Sequence, residues 1–263
     1  MRADKVTGVF FSPTGNTAKV VSEIGRTLAG DTYRELDWTK PDNRGQKRHF
    51  KADEVVIIGV PVYRGRVPEL AAKEIEELSG EETPAVILVT YGNRMIEDAM
   101  LELKDLMEQQ GFLPFACASF SGQHSFNKEI SYNRPDEKDL RIAREFAGQI
   151  ERKLESFDKE KVGFVVPGNR PYKKVGPMSA MPFYPQTDMK CIYCMLCSKY
   201  CPAEAFSFSN PKDIDPNKCI RCTACIRVCP VQAKSMTPDT FDSFVKKITT
   251  PSVLRRKEPW FFV

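Results

Sequence analysis

Eight of the nine cysteines in this 263-residue chain crowd into Cys191 to Cys229, in two runs of the same spacing. Cys191, Cys194, Cys197 and Cys201 form the first run, Cys219, Cys222, Cys225 and Cys229 the second, and each ends in Cys-Pro. Three thiolates two residues apart can fold around one face of a cube of iron and sulfide. The fourth sits too far along to join them and is left for the cube of the other run. Structural zinc also takes four thiolates, but zinc sites usually pair two cysteine knuckles and give no reason for a doubled spacing. The pattern implies two 4Fe-4S clusters, with Tyr193, Met195, Leu196, Ile220, Ile226 and Val228 as an apolar shell against water. Cys117, alone in an apolar strand, reads as a small buried residue.

A second set of chemical residues lies near the start. Ser12-Pro13-Thr14-Gly15-Asn16-Thr17 follows an apolar strand and leads straight into a helix. Such a loop presents unpaired N–H groups and the positive end of the helix dipole to an anion. Hydroxyls at Ser12, Thr14 and Thr17 add donors, and Gly15 permits close approach of the backbone. The loop lacks the Gly-Lys-Ser/Thr ending of a nucleoside triphosphatase and the three glycines of a dinucleotide site, so a terminal monophosphate is the better ligand. Ordinary N-capping would account for one hydroxyl rather than three.

The elements that must hold these residues read as two domains. Residues 1–160 alternate apolar strands with amphipathic helices, an α/β pattern with five parallel strands. Val6 to Phe11, Thr32 to Leu36, Glu54 to Pro61, Ala85 to Tyr91 and Phe112 to Phe120 are the strands; the last helix runs from about Asp136 to Glu155. Residues 161–187 are rich in proline and read as an extended linker. Residues 188–240 form the cysteine domain, built by duplication: Cys191-Ile192 recurs as Cys219-Ile220, and Cys201-Pro202 as Cys229-Pro230, at a shift of 28. Residues 241–263 are a tail that ends in Trp260-Phe261-Phe262-Val263 after a basic run, an end that should dock on the N-terminal domain or on a second subunit.

The first loop resembles that of the flavodoxin family, which binds the phosphate of flavin mononucleotide (FMN). The resemblance extends to Pro61, Val62 and Tyr63 in a second loop and to Tyr91, Gly92 and Asn93 in a third, and implies a doubly wound sheet. It makes Ser12, Thr14, Gly15, Asn16 and Thr17 the phosphate contacts. Tyr63 and Tyr91 become candidates for ring contacts, and Asn93 for an amide hydrogen bond. The cysteine spacing resembles bacterial ferredoxins, which implies a ferredoxin-like α+β domain with crossed ligation: Cys191, Cys194, Cys197 and Cys229 on one cluster, and Cys219, Cys222, Cys225 and Cys201 on the other. Taken whole, the chain is similar to the flavodoxin-ferredoxin fusions of anaerobic bacteria and archaea, the EFR1-type ferredoxin family.

That resemblance implies an electron-transfer protein linking one-electron and two-electron redox partners, with a ferredoxin-like protein as partner. The alternative is an FMN-dependent reductase of oxygen, a quinone or a disulfide, fed through the clusters. Arg64 and Arg66 beside the flavin would raise its potential, or simply face solvent. His124, near the ligand edge, is a candidate proton donor against a plain loop histidine. The formal charge of +4 drops to roughly −2 once thiolates, cluster cores and a flavin phosphate are counted, which argues against nucleic acid. The longest apolar run, Val55 to Val62, is too short to span a bilayer, so the expectation is a cytoplasmic protein; the linker is long enough to permit a homodimer.

Overall fold

The computed structural model describes residues 5–236 and 239–263. In chain order the strands are β1 (Val6–Phe10), β2 (Arg34–Asp37), β3 (Arg48–Phe50), β4 (Val55–Pro61), β5 (Leu78–Gly80), β6 (Thr83–Tyr91), β7 (Phe112–Ser121), β8 (Pro185–Thr187), β9 (Lys234–Met236) and β10 (Trp260–Phe262). The helices are α1 (Asn16–Ala29), α2 (Glu69–Glu76), α3 (Ala99–Gln109), α4 (Glu137–Glu155), α5 (Leu196–Lys199), α6 (Ala224–Arg227), α7 (Thr240–Ile248) and α8 (Pro251–Leu254).

The central sheet has the order β10-β7-β6-β4-β1-β2. Its members other than β10 run parallel, as a flavodoxin-like doubly wound sheet does, and alternate residues of the strands serve opposite cores. Val9, Val56, Ile58, Ile87 and Val89 pack with α2 and α3 on one face. Phe10, Ile57, Val86 and Leu88 pack with α1 and α4 on the other. A strand covered on both faces carries an unbroken apolar run, which is why Val55 to Val60 has no polar member. Strand order reverses between β1 and β4, so the loops after those strands open a crevice at the C-terminal edge.

The tail supplies a sixth strand. β10 pairs antiparallel with β7, placing Trp260, Phe261 and Phe262 opposite Ser119, Ala118 and Cys117. Phe261 lies 5.0 Å from the Phe146 ring and Phe262 stacks on Phe164 at 5.2 Å. Of the two docking sites the sequence allowed, the structure takes the one within the same chain, where an edge strand offers unpaired backbone groups.

The proline-rich segment is tied down along its length. Buried Asp98 accepts N–H bonds from Asn169 (2.9 Å) and Lys173 (2.6 Å), which hold its carboxyl below the usual range. The segment read as linker to residue 187 also contains β8, which pairs with β9 and so belongs to the cysteine domain's own small sheet. Phe126, Phe183, Phe241 and Phe244 form one aromatic cluster that joins the loop after β7 to the linker and α7. No helix among the described residues is long and apolar enough to cross a membrane.

Candidate functional site

The loop after β1 is shaped for an anion. Gly15 caps α1 at φ 83°, a left-handed conformation costly for other residues. The Ser12 hydroxyl accepts from Ala18 N–H at 2.9 Å, and Ser12 N–H donates to Thr39 Oγ1 at 2.7 Å. Among the described residues the N–H groups of Thr14, Asn16 and Thr17 have no acceptor. Three orphan donors around a helix N-terminus fit the phosphate that the sequence suggested. Thr17 corrects one detail: its hydroxyl bonds Thr90 Oγ1 at 2.6 Å, beneath the helix, so only its backbone faces the loop. Asn16 spans the crevice by donating from Nδ2 to the Gln123 carbonyl at 3.1 Å.

Pro61, Val62 and Tyr63 leave β4 beside this loop. Val62 N–H still donates to Thr90 O at 2.8 Å, and Tyr63 and Arg66 then exchange backbone bonds of 3.0 and 3.1 Å across a two-residue turn. Arg64 and Gly65 in that turn both have positive φ. The two arginines are not free beside the crevice. Arg66 makes a fork with Glu102, both contacts 2.7 Å, and donates to Lys173 O at 2.8 Å; Arg64 donates to Gly176 O at 2.7 Å. Both reach the linker; the Arg66 charge is neutralised by Glu102, whereas Arg64 is exposed, as one of the two expectations for the pair has it.

In the third loop Tyr91 is half-buried, and Gly92 lies directly under His124: a Cβ at residue 92 would sit 2.3 Å from His124 Cδ2. His124 Nδ1 accepts from Phe126 N–H at 3.0 Å, while burial and then Arg94 push the ring down to about 4. The imidazole is therefore neutral near pH 7 with its proton on Nε2. Asn93 needs a larger correction. Its side chain is fully buried, donates to Val253 O (2.6 Å) and Arg255 O (2.7 Å), and accepts from Ser121 Oγ at 2.9 Å. That amide holds the C-terminal segment and is not available to a ligand.

The cysteine runs fold as near copies. Tyr193 and Met195 in the first, and Arg221 and Thr223 in the second, all take positive φ between 56° and 68°. Alternating left-handed residues turn successive N–H groups into one concavity, a nest for an anionic body. The hydroxyls of Ser198 and Thr223 are buried there with no partner. Cys201 Sγ accepts from Ala205 N–H at 3.3 Å, and Cys229 Sγ from Ala233 N–H at 3.2 Å. These features fit two anionic iron-sulfur cubes. Among the described residues no three His, Cys, Asp or Glu side chains gather around one mononuclear ion.

The thiols also sort by neighbour. Cys201 acts electrostatically on Cys219, Cys222 and Cys225, whereas Cys191 acts on Cys197. Cys201 thus lies within electrostatic reach of the later run. Burial pushes the Cys222 thiol up to about 12, so metal binding must release protons there. Arg221 is buried beside this set, with 2% exposure, and donates to the carbonyls of Phe183 (3.0 Å), Ser179 (3.0 Å), Pro216 and Cys219. It fastens the linker to the second cysteine loop.

The two sites meet. Burial, then Cys222, push the Tyr63 phenol well above its ordinary range; Arg227 opposes them and Cys219 adds to them. Arg227, at the end of α6, reaches the carbonyls of Thr14 and Gln123 at 3.4 Å each. Ile220, expected in the shell around the clusters, packs instead on the N-terminal core, and Arg44 faces Glu204 at 3.6 Å. On the other run Cys194 is exposed, and Met189, 90% exposed, Ile192 and Tyr193 stand open around it, so Tyr193 is not a water-excluding residue in this chain. Sequence reasoning missed Arg227, Asp98 and Glu102, because nothing in their spacing marks a contact more than 30 residues away in the chain.

Residues 190–233 match the family model of a 4Fe-4S dicluster domain. The chain joins a flavodoxin-like α/β domain to a ferredoxin-like 4Fe-4S domain. No curated protein sequence matches the chain. Among solved structures it is similar to rubredoxin oxygen:oxidoreductase of Desulfovibrio gigas, at 15% identity and TM-score 0.44, covering 61% of this chain and 38% of that one. A flavodoxin from the domain Archaea is 14% identical over 57% of this chain and 99% of its own, at TM-score 0.38. Oxidised flavodoxin 1 of Bacillus cereus is 12% identical, covering 56% and 97%, at 0.40.

Proposed function

We propose that this chain is an electron-transfer flavo-iron-sulfur protein of the flavodoxin-ferredoxin fusion type, with FMN in residues 1–160 and two 4Fe-4S clusters in residues 188–240. When bound, FMN supplies two-electron chemistry that can be divided into single steps, and a 4Fe-4S cluster supplies one-electron transfer. Thr14, Asn16 and Thr17 offer backbone N–H groups to the phosphate, with Ser12 beside them. Tyr63 and Tyr91 flank the ring, with Pro61, Val62 and Gly92 lining the loops. Cys219, Cys222, Cys225 and Cys201 hold an inner cluster, and Cys191, Cys194, Cys197 and Cys229 an outer one.

The observation that carries this reading is the reach of Arg227, at the end of the helix that bears Cys225, to the carbonyls of Thr14 and Gln123 at 3.4 Å each, which sets the inner cage against the anion loop. The outer cage, where Cys194 is exposed, faces a partner redox protein such as a ferredoxin. The Arg66, Asp98 and Arg221 clamps fix the two domains within one chain, so a homodimer is not needed for the route.

The test uses anaerobic, cofactor-replete protein mixed in turn with reduced ferredoxin, NADH and NADPH, with flavin and cluster absorbance followed separately. Bleaching by reduced ferredoxin that reaches the clusters before the flavin is the expected result. Rapid flavin bleaching by a nicotinamide alone, with the clusters lagging, would overturn it.

A further inference from the structure

The duplication that relates the two cysteine runs also pairs Phe206 with Lys234, since Ala205 and Ser207 correspond to Ala233 and Ser235. Both positions are interior, yet one is aromatic and the other cationic. Lys234 is 5% exposed. Its Nζ donates to Thr187 Oγ1 and to Pro211 O, both at 2.5 Å, and lies 4.2 Å from the centre of the Phe206 ring. Among the described residues no carboxylate pairs with it within 4.0 Å.

A buried ammonium without an anion is expensive, because neutral oxygens and a ring face replace only part of its hydration. A neutral side chain, such as the phenylalanine used in the other repeat, would fill the interior at lower cost. The missing counter-charge lies in the cysteine cages. Lys234 is the foremost charge acting on Cys197 of the outer cage, whereas on Cys225 of the inner one it comes after the neighbouring thiols. Pro211 O, which accepts from Nζ, is also 4.0 Å from Cys197 Sγ.

We propose that Lys234 is a fixed counter-charge that raises the reduction potential of both clusters, and most of all that of the outer one. The inference rests on the 4Fe-4S reading of the cysteine runs. Reduction adds one electron from an external donor and moves no proton; the cube with its four thiolates goes from about −2 to about −3. A cation held nearby in a low-dielectric interior favours the more negative form, and Lys234 cannot turn towards solvent to be screened.

The experiment is an EPR-monitored redox titration of the full holoprotein, with dithionite as reductant, for wild type, Lys234→Met and Lys234→Arg. Iron and sulfide are measured in each, and a Cys194→Ser variant identifies the outer cluster's signal. At a fixed solution potential the reduced-to-oxidised ratio of the outer cluster should fall about tenfold in Lys234→Met, equivalent to about 59 mV for a one-electron couple. The inner cluster should shift less, and Lys234→Arg should stay close to wild type. If Lys234→Met does not retain both clusters, Lys234→Gln, which keeps a donor for Pro211 O, serves as the neutral variant. Ratios within twofold of wild type in a neutral variant with both clusters intact would overturn the role of Lys234 alone. A wild-type protein that takes up no 4Fe-4S cluster would overturn the cluster reading instead.

Discussion

Replacing Asn93 with glycine separates a structural role from a ligand role at one position. The native side chain makes three buried hydrogen bonds, to Val253 O, Arg255 O and Ser121 Oγ. At roughly 1 kcal/mol net for each, the loss is about 3 kcal/mol. Glycine keeps the positive φ of 56° at no steric cost, although its freer unfolded chain adds about 0.5–1 kcal/mol. The total of about 3–4 kcal/mol should lower the urea midpoint by about 1–2 M. The chain's two tryptophans report on different regions: Trp38 is in the core, whereas Trp260 lies in β10. Single-tryptophan variants should show the Trp260 transition moving to lower urea ahead of the Trp38 transition, while FMN affinity stays within about threefold. An unchanged Trp260 midpoint together with a tenfold loss of FMN affinity would refute the reasoning and return the Asn93 amide to the flavin.

Three further outcomes follow from the structure. Cys197→Ser should lose one cluster and about half the iron; full iron content would contradict the ligand grouping. His124 should titrate near about 4 by NMR. Its ring binds a proton more readily in the unfolded chain, so the stability it contributes is complete above about 6.5 and declines as pH falls towards 4, and a measured value near 6.5 would show the ring to be exposed. Removing Trp260 to Val263 uncovers the β7 edge and should make Cys117, which is fully buried in that strand, open to alkylation in the holoprotein. Continued protection of that thiol would mean β10 is not its cover.

The chemistry of both halves was legible in the sequence because it depends on local spacing. Three thiolates of each cube and the N–H groups around a phosphate come from neighbouring residues, so the cysteine runs and Ser12 to Thr17 stand out without any tertiary information. The central strands β4 and β6 did too, since burial on both faces leaves an unbroken run rich in Val and Ile, whereas the short β3, β5, β8 and β9 carry no such signal. Side-chain partners across the chain left no such mark. Asn93 and Arg66 sit in the right loops for a flavin, but one bonds the C-terminal segment and the other bonds Glu102 and the linker. Whether the tail docked on its own domain or on a second subunit was open in the sequence, because Trp260 to Val263 is apolar enough for either; the free edge of β7 decides it. The reach of Arg227 to the carbonyls of Thr14 and Gln123 and the burial of Lys234 belong to the tertiary structure alone. The first is a product of how two separately legible domains pack and the second of packing inside the cysteine domain; packing between residues far apart in the chain is set by shape and charge rather than by spacing.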